Sequence, residues 1–123
     1  MTSQEPPTVL VVDDEELIRM LGCDTLELGG YRVLEAANAA EALRCLEHGT
    51  EVLVLFTDVN MPGPLDGLDL AKLVHDRWPE VKILVTSGRL RPQSLELPDN
   101  GLFLSKPYRA EDLLEMVRQL TLS

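Results

Sequence analysis

The sequence predicts an α/β domain in which a parallel β-sheet is covered by helices on both faces. The first indication is a set of apolar runs without alternation, at Thr8–Val12, Val52–Phe56 and Ile83–Thr86. A strand of this kind has both faces buried, which is typical of a parallel sheet. The second indication is that amphipathic helical patterns separate these runs, and strands that alternate with helices favour the same architecture.

The remaining elements follow from the same patterns, in chain order. A first helix is expected at about residues 15–28, with Leu17, Leu21 and Leu28 on one apolar stripe and a glycine pair after it as the stop signal. The short alternating run at Tyr31–Glu35 is typical of an edge strand. The other expected elements are a strand at Leu102–Leu104 and helices at about residues 39–48, 68–78 and 110–120.

Length and charge limit the kind of protein this is. The 123 residues fit one domain, with residues 1–7 as a disordered lead-in and residues 8–123 as the folded part. The chain has 11 Lys and Arg against 21 Asp and Glu, and this formal net charge of −10 disfavours binding to nucleic-acid phosphates. No apolar run approaches a membrane span, and the first residues do not resemble a signal peptide. We therefore expect a cytoplasmic protein that binds neither nucleic acid nor membrane.

Polar side chains follow the ends of the predicted strands. The pair Asp13-Asp14 follows the first strand, Asp58 follows the third, and the pair Thr86-Ser87 closes the fourth. Lys106 follows the last strand. Because ligands bind beyond the carboxyl ends of the strands in such a sheet, we expect these side chains to meet at one edge.

The chemistry of this set indicates a phosphoryl acceptor. Crowded carboxylates repel each other unless a cation joins them, and Mg²⁺ suits a carboxylate site that also holds phosphate. Lys106 can pair with Asp58 or with a phosphoryl oxygen. A hydroxyl at Ser87 or Thr86 can donate a hydrogen bond to the same group. A carboxylate nucleophile, acids for a metal, an amine and a hydroxyl donor are then all present.

Five segments together carry a resemblance to a known family. They are Val11–Glu15, Thr57–Pro62, Asp66-Gly67, Ser87-Gly88 and Lys106–Tyr108. In this combination they resemble the receiver domain of two-component response regulators, over nearly the whole chain. The resemblance implies a flavodoxin-like (βα)5 fold, a doubly wound parallel five-stranded sheet with strand order 2-1-3-4-5.

The resemblance also implies a role for each matching residue. Asp58 would be the phosphoacceptor, and Lys106 would bridge to the phosphoryl group. Asp14 would bind Mg²⁺ directly, Asp13 would act mainly through coordinated water, and Asn60 would lend its backbone carbonyl. In the family, such domains take the phosphoryl group from a histidine kinase and catalyse both its acceptance and its hydrolysis.

The hydroxyl that responds to phosphorylation is either Ser87 or Thr86. Family members with a proline before this strand place the hydroxyl eight residues after it, which from Pro79 gives Ser87. Neighbouring strand residues face opposite sides of a sheet, so Thr86 would then point away from the site. We therefore favour Ser87.

The sequence departs from the family pattern in three places. The loop at residues 61–67 is one residue longer than the common form. Phe103 stands at the aromatic switch position, three residues before the lysine, and lacks the hydroxyl of a tyrosine. The span Arg89–Asn100 is short and holds two prolines, so we expect the family's fourth helix to be shortened, distorted or missing and its signalling face to be atypical and mobile.

The resulting hypothesis is a stand-alone receiver that signals by phosphorylation-dependent binding to another protein. Its expected partners are a histidine kinase or histidine phosphotransfer protein and an unidentified downstream protein. It would be a signalling switch and no enzyme beyond its own phosphorylation and dephosphorylation. Two alternatives remain open: a phosphate sink or phosphorelay intermediate, and the receiver portion of a hybrid histidine kinase.

Overall fold

The computed structural model describes residues 6–88, 97–98 and 100–122 of the chain. Strands and helices alternate along most of it, as the sequence predicts. The strands are β1 (Thr8–Val12), β2 (Arg32–Ala36), β3 (Val54–Asp58), β4 (Lys82–Ser87) and β5 (Leu102–Ser105). The helices of the described part are α1 (Glu16–Leu28), α2 (Ala39–Glu47), α3 (Gly67–Arg77) and α4 (Ala110–Leu122).

The five strands form one parallel sheet in the order β2-β1-β3-β4-β5. This confirms the predicted fold class and strand order, and it places β2 at an edge, as its alternating sequence indicates. The register aligns Leu10 of β1 with Leu34 of β2 on one side and with Leu55 of β3 on the other. The carboxyl ends of β1, β3, β4 and β5 therefore open onto one edge of the sheet.

Alternate residues of each strand supply two separate cores. On one face, Leu10 and Leu55 pack with the buried side of α2 and α3; on the other, Val11 and Phe56 pack with α1 and α4. Every residue of β1 and β3 is buried, because helices cover both faces of the sheet. This explains why the two strands read as continuous apolar runs.

The third strand lies two residues further along the chain than its apolar run predicts. The run at Val52–Phe56 suggested a strand there, whereas β3 spans Val54–Asp58. Pairing with β1 decides the boundary, since Val9 aligns with Val54 and Val12 with Thr57. Val52 is buried before the strand begins, so burial alone could not mark its start.

The apolar stripe of α1 faces solvent, which corrects the packing suggested by the sequence pattern. Leu17, Leu21 and Leu28 are 75%, 67% and 90% exposed. The buried face of α1 is instead formed by Gly22, Cys23 and Leu26. Small residues at the first two of these positions allow the helix backbone to lie close to the sheet, which leaves the leucine stripe on the outside.

Two sequence-based expectations fall mainly outside the described residues. Of the lead-in at residues 1–7, the structure describes Pro6 and Pro7. Of the span Arg89–Asn100, it describes Leu97, Pro98 and Asn100, so the expected loss or distortion of the family's fourth helix stays a prediction. Among the described residues, no helix is long and apolar enough to cross a membrane.

Replacing one buried and one exposed leucine of α1 tests the orientation of this helix. Leu26→Ala should lower the free energy of unfolding by about 2–5 kcal/mol, because it opens a cavity beneath a fully buried side chain. Leu21→Ala, a matched change on the exposed side, should alter it by less than about 0.5 kcal/mol. Urea denaturation monitored by circular dichroism measures both, and equal losses would contradict the orientation of α1.

Candidate functional site

Three carboxylates meet where β1 and β3 end. Asp13 and Asp14 directly follow β1, and Asp58 is the last residue of β3. A carboxylate oxygen from each lies within 4.8 Å of the others, so one small cation could contact all three. Asp13 and Asp58 are each only 4% exposed, whereas Asp14 is exposed at the rim. The structure thus brings together the three acids that the sequence singled out.

Lys106 places one positive charge between the two buried carboxylates. Its Nζ lies 3.4 Å from Oδ2 of Asp13 and 3.3 Å from Oδ1 of Asp58. Its backbone N–H donates to the carbonyl of Ser87, which ties the residue to the end of β4 at 3.1 Å. The side chain is 18% exposed, so the ammonium group acts where water screens it poorly.

One ammonium group does not fully offset the two buried acids. Burial is the main cause that raises the pKa of Asp58 above its usual range; Lys106 opposes the shift and the charge of Asp13 adds to it. The same surroundings act on Tyr108, where burial and the charges of Asp13 and Asp58 raise the pKa to about 12. A further cation would stabilise the ionised carboxylates.

The donor set fits a hard divalent cation. Carboxylate oxygens are the ligands that Mg²⁺ prefers, and it is usually held by one or two of them together with water and phosphate oxygens. Asp14 at the rim and Asp58 below it offer such oxygens beside the more enclosed Asp13. The role assigned to the backbone carbonyl of Asn60 stays a prediction.

The two candidate hydroxyls of β4 point to different partners. Ser87 donates from Oγ to Oδ1 of Asn60 at 3.0 Å, so its hydroxyl lies beside the loop that follows Asp58. Thr86 donates from Oγ1 to the carbonyl of Leu104 at 2.6 Å, toward β5. This geometry agrees with the pleat of a strand, in which adjacent residues face opposite sides. The hydroxyl of Ser87 thus lies beside the segment that follows Asp58, and the hydroxyl of Thr86 lies against β5. The choice of Ser87 as the responding hydroxyl stays a prediction.

Phe103 lies on β5, three residues before Lys106, which directly follows that strand. It aligns with Val85 of β4, is partly buried, and packs against the core on the α2 and α3 face. A ring held by packing alone can move without breaking a hydrogen bond. Its role in signalling stays a prediction.

Sequence reasoning missed the groups that hold the backbone of Asp13. Its N–H donates to the carbonyl of Ala36 at 3.2 Å, and its carbonyl accepts a hydrogen bond from the guanidinium of Arg19 at 2.8 Å. Nε of Arg19 also donates to a carboxylate oxygen of Glu35 at 2.8 Å. The sequence features that could have indicated these contacts are a basic residue near the start of α1, Arg19, and an acid near the end of β2, Glu35.

The structure also gives a reason for the glycine of the Asp66-Gly67 segment. A Cβ at Gly67 would overlap the backbone carbonyl of Asp58, so only glycine lets α3 begin this close to the end of β3. The N–H of Gly67 donates to the carbonyl of Val59 at 2.9 Å. Asp66 caps α3 through a reciprocal pair of hydrogen bonds with Asp69. Together these contacts fix the loop after the candidate phosphoacceptor.

Comparison with known proteins identifies the family. The chain matches the response regulator receiver domain over residues 9–118 and belongs to that family, which confirms the resemblance drawn from its motifs. It is similar to the sensor kinase CckA of Brucella abortus (strain 2308), 36% identical over 117 residues, which are 92% of this chain and 12% of that protein. It is also similar to the response regulator protein FleR of Pseudomonas aeruginosa, 36% identical over 112 residues. The match covers 89% of this chain and 23% of FleR, so the chain spans less than a quarter of either relative.

Solved structures show the same fold. A response regulator receiver protein from Sinorhizobium medicae WSM419 superposes with a TM-score of 0.89 at 28% identity, and 98% of each chain is covered. The response regulator protein TrrA from Thermotoga maritima, in complex with Mg²⁺ and BeF, superposes with a TM-score of 0.83 at 29% identity. That match covers 93% of this chain and 98% of TrrA.

Neutralising Asp58 should raise the melting temperature of the metal-free protein at neutral pH by a few degrees. Because the folded state raises the pKa of Asp58, it binds this proton more tightly than the unfolded state, and stability falls as the pH rises through that range. Asp58→Asn removes the charge and should therefore be the more stable protein above the folded-state pKa. The difference should fade as the pH falls below about 4, where the unfolded carboxyl also becomes protonated.

Thermal unfolding in EDTA at several pH values measures this difference. Asp76→Asn is the matched control, because Asp76 is exposed on α3 and lies outside the cluster of three acids. A melting temperature that is unchanged or lower in Asp58→Asn at neutral pH would show that the buried carboxylate is not destabilising.

Proposed function

We propose that this receiver accepts a phosphoryl group on Asp58 from a histidine kinase or a histidine phosphotransfer protein. The observation that carries the proposal is the contact of Lys106 with two buried carboxylates, 3.3 and 3.4 Å away, in a cluster of three acids. Mg²⁺ would be held by Asp14, Asp58 and the Asn60 carbonyl, with Asp13 acting mainly through water. When bound, the ion would neutralise charge on the phosphoryl oxygens.

The residues of the site suit an in-line phosphoryl transfer. A carboxylate oxygen of Asp58 attacks phosphorus and forms the new O–P bond, while the bond from phosphorus to the donor nitrogen breaks and the donor keeps that electron pair. The Lys106 ammonium, which contacts two carboxylates before the transfer, then pairs with a phosphoryl oxygen. Ser87 gives up Asn60 as its acceptor and donates to another phosphoryl oxygen.

Intact mass after incubation with acetyl phosphate and Mg²⁺ should show the gain of one phosphoryl group. Asp58→Ala should abolish the gain because it removes the nucleophile, and EDTA should greatly reduce it. Asp76→Ala, which removes an exposed acid of α3, should be modified like the unchanged protein. Full modification of Asp58→Ala would contradict the proposal.

The exposed side of α1 supports a protein as the phosphoryl donor. Leu17, Met20 and Leu21 are 75%, 47% and 67% exposed, and they lie in the first turns of the helix that follows Asp14. Clustered apolar side chains on a surface mark an interaction site more often than chance exposure does. A donor that packs here would bring its phosphohistidine close to the acids.

Removing this apolar surface should slow transfer from a protein donor and leave transfer from a small donor unchanged. A screen of autophosphorylated histidine kinases first identifies one that phosphorylates the unchanged receiver. With that kinase, Leu17→Ala/Leu21→Ala should be phosphorylated about thirtyfold more slowly, since each of the two lost apolar contacts costs about 1 kcal/mol of binding. The rate with acetyl phosphate should stay the same.

Leu122→Ala is the control for this experiment, because its side chain is 74% exposed at the end of α4. Equal slowing with both donors would mean that the double variant damages the site itself. Equal rates for the variant and the unchanged protein with the kinase would exclude this face of α1 as the docking surface.

The proposed output is a phosphorylation-dependent contact with another protein, made by a stand-alone receiver in the cytoplasm. The chain would then be a switch, with no catalysis beyond its own phosphorylation and dephosphorylation. Movement of Lys106 and Ser87 toward the phosphoryl group supplies a route, since both residues link to β4 and β5. The phosphoryl lifetime separates the alternatives: a phosphate sink loses the group rapidly, a relay passes it to a second histidine, and a switch keeps it long enough to bind its partner.

A further inference from the structure

We propose that Arg19 and Glu35 act as a positioning pair that sets the backbone of the Asp13-Asp14 segment for Mg²⁺. The inference rests on the proposed function, because it concerns the metal site described there. Neither side chain would touch the ion. Arg19 would act through the carbonyl of Asp13, and Glu35 would act by orienting Arg19.

The geometry joins three elements at the first acid of the site. Arg19 projects from α1 and donates from one guanidinium nitrogen to the Asp13 carbonyl and from Nε to Glu35, both at 2.8 Å. Glu35 belongs to β2, the strand whose Ala36 carbonyl accepts the N–H of Asp13. The edge strand therefore holds the N–H of Asp13 directly, and it reaches the carbonyl of Asp13 through Arg19.

The side chain of Asp13 is held as firmly as its backbone. Oδ1 accepts the N–H of Glu15 at 2.9 Å, and Oδ2 faces Lys106. Rotation of the Asp13 peptide would move both oxygens and would also redirect Asp14, the next residue. Groups that orient metal ligands in this way typically account for about 10–100-fold in metal affinity.

A second arginine–glutamate pair offers a direct comparison within the chain. A guanidinium nitrogen of Arg77 on α3 lies 2.9 Å from a carboxylate oxygen of Glu47 on α2. The two side chains are 45% and 44% exposed, respectively. The Arg19 side chain is only 15% exposed. Its guanidinium also bonds to a backbone oxygen of the candidate site, whereas the guanidinium of Arg77 bonds to Glu47 and lies over the ring of Trp78. The first pair is therefore placed to position the site, and the second to link two helices.

For Arg19→Gln, the change in charge and the loss of positioning should shift Mg²⁺ affinity in opposite directions. Arg19→Gln removes a positive charge near a cation site and leaves Glu35 unpaired, so the net charge becomes more negative and Mg²⁺ should bind more tightly. The glutamine side chain is two bonds shorter than arginine, so its amide should not reach the Asp13 carbonyl, and loss of that hydrogen bond should instead weaken binding. The double variant Arg19→Gln/Glu35→Gln removes one charge of each sign and so isolates the positional effect.

Titration of the full chain with Mg²⁺ by isothermal calorimetry tests the inference without any phosphorylation step. Arg19→Gln/Glu35→Gln should bind Mg²⁺ about tenfold more weakly than the unchanged protein. The control Arg77→Gln/Glu47→Gln should bind it with unchanged affinity. Melting temperatures in EDTA are measured in parallel, so that a loss of stability shared by both double variants is not mistaken for a loss of metal affinity.

The reversed pair Arg19→Glu/Glu35→Arg separates positioning from a simple ion pair. It can restore the ion pair and the melting temperature, but a glutamate at position 19 has no donor for the Asp13 carbonyl. Weak Mg²⁺ binding that persists in this variant supports the proposal. Unchanged or tighter binding in Arg19→Gln/Glu35→Gln, or full affinity in the reversed pair, would overturn it while the proposed function stands. Absence of Mg²⁺ binding by the unchanged protein would overturn both.

Discussion

The ion-pair triad of Asp13, Lys106 and Asp58 is the interaction on which the rest of the site depends. Two carboxylates, each 4% exposed, share a single ammonium group at 3.4 and 3.3 Å. Burial and the negative charge of Asp13 still raise the pKa of Asp58, so Lys106 offsets the charge of the two acids only in part. The site therefore gains stability from any further cation. In the function proposed above, Lys106 would follow the negative charge of the incoming phosphoryl group.

The fold maintains this arrangement by fixing the backbone at each strand end. Gly67 lets α3 begin against the carbonyl of Asp58, and the backbone N–H of Lys106 donates to Ser87 at the end of β4. Arg19 holds the Asp13 carbonyl from α1, which lies on the opposite face of the sheet from α3. Residues from both faces and from the edge strand thus hold side chains that must tolerate mutual repulsion.

The location of the site could be predicted from the sequence, whereas most of the contacts that support it could not. Asp13, Asp58 and Lys106 could be predicted to meet because the carboxyl ends of parallel strands always share an edge. The exposure of the leucines on α1 could not be predicted in this way, because an apolar stripe on a helix does not reveal whether it faces the core or water. The start of β3 depended on pairing with β1, and the contact between Arg19 and Asp13 depended on side-chain direction. Both are properties of the folded chain rather than of local periodicity.

The most direct test of Asp58 as the acceptor is the position of the phosphoryl group in the chain. Borohydride reduces an acyl phosphate on an aspartate to homoserine, which peptide mass spectrometry can place in the sequence. After treatment with acetyl phosphate and Mg²⁺, homoserine is expected at position 58 alone, with Asp13 and Asp14 unmodified. Reduction at either of those residues, or at none under conditions that modify another receiver, would contradict the assignment of Asp58 as the acceptor.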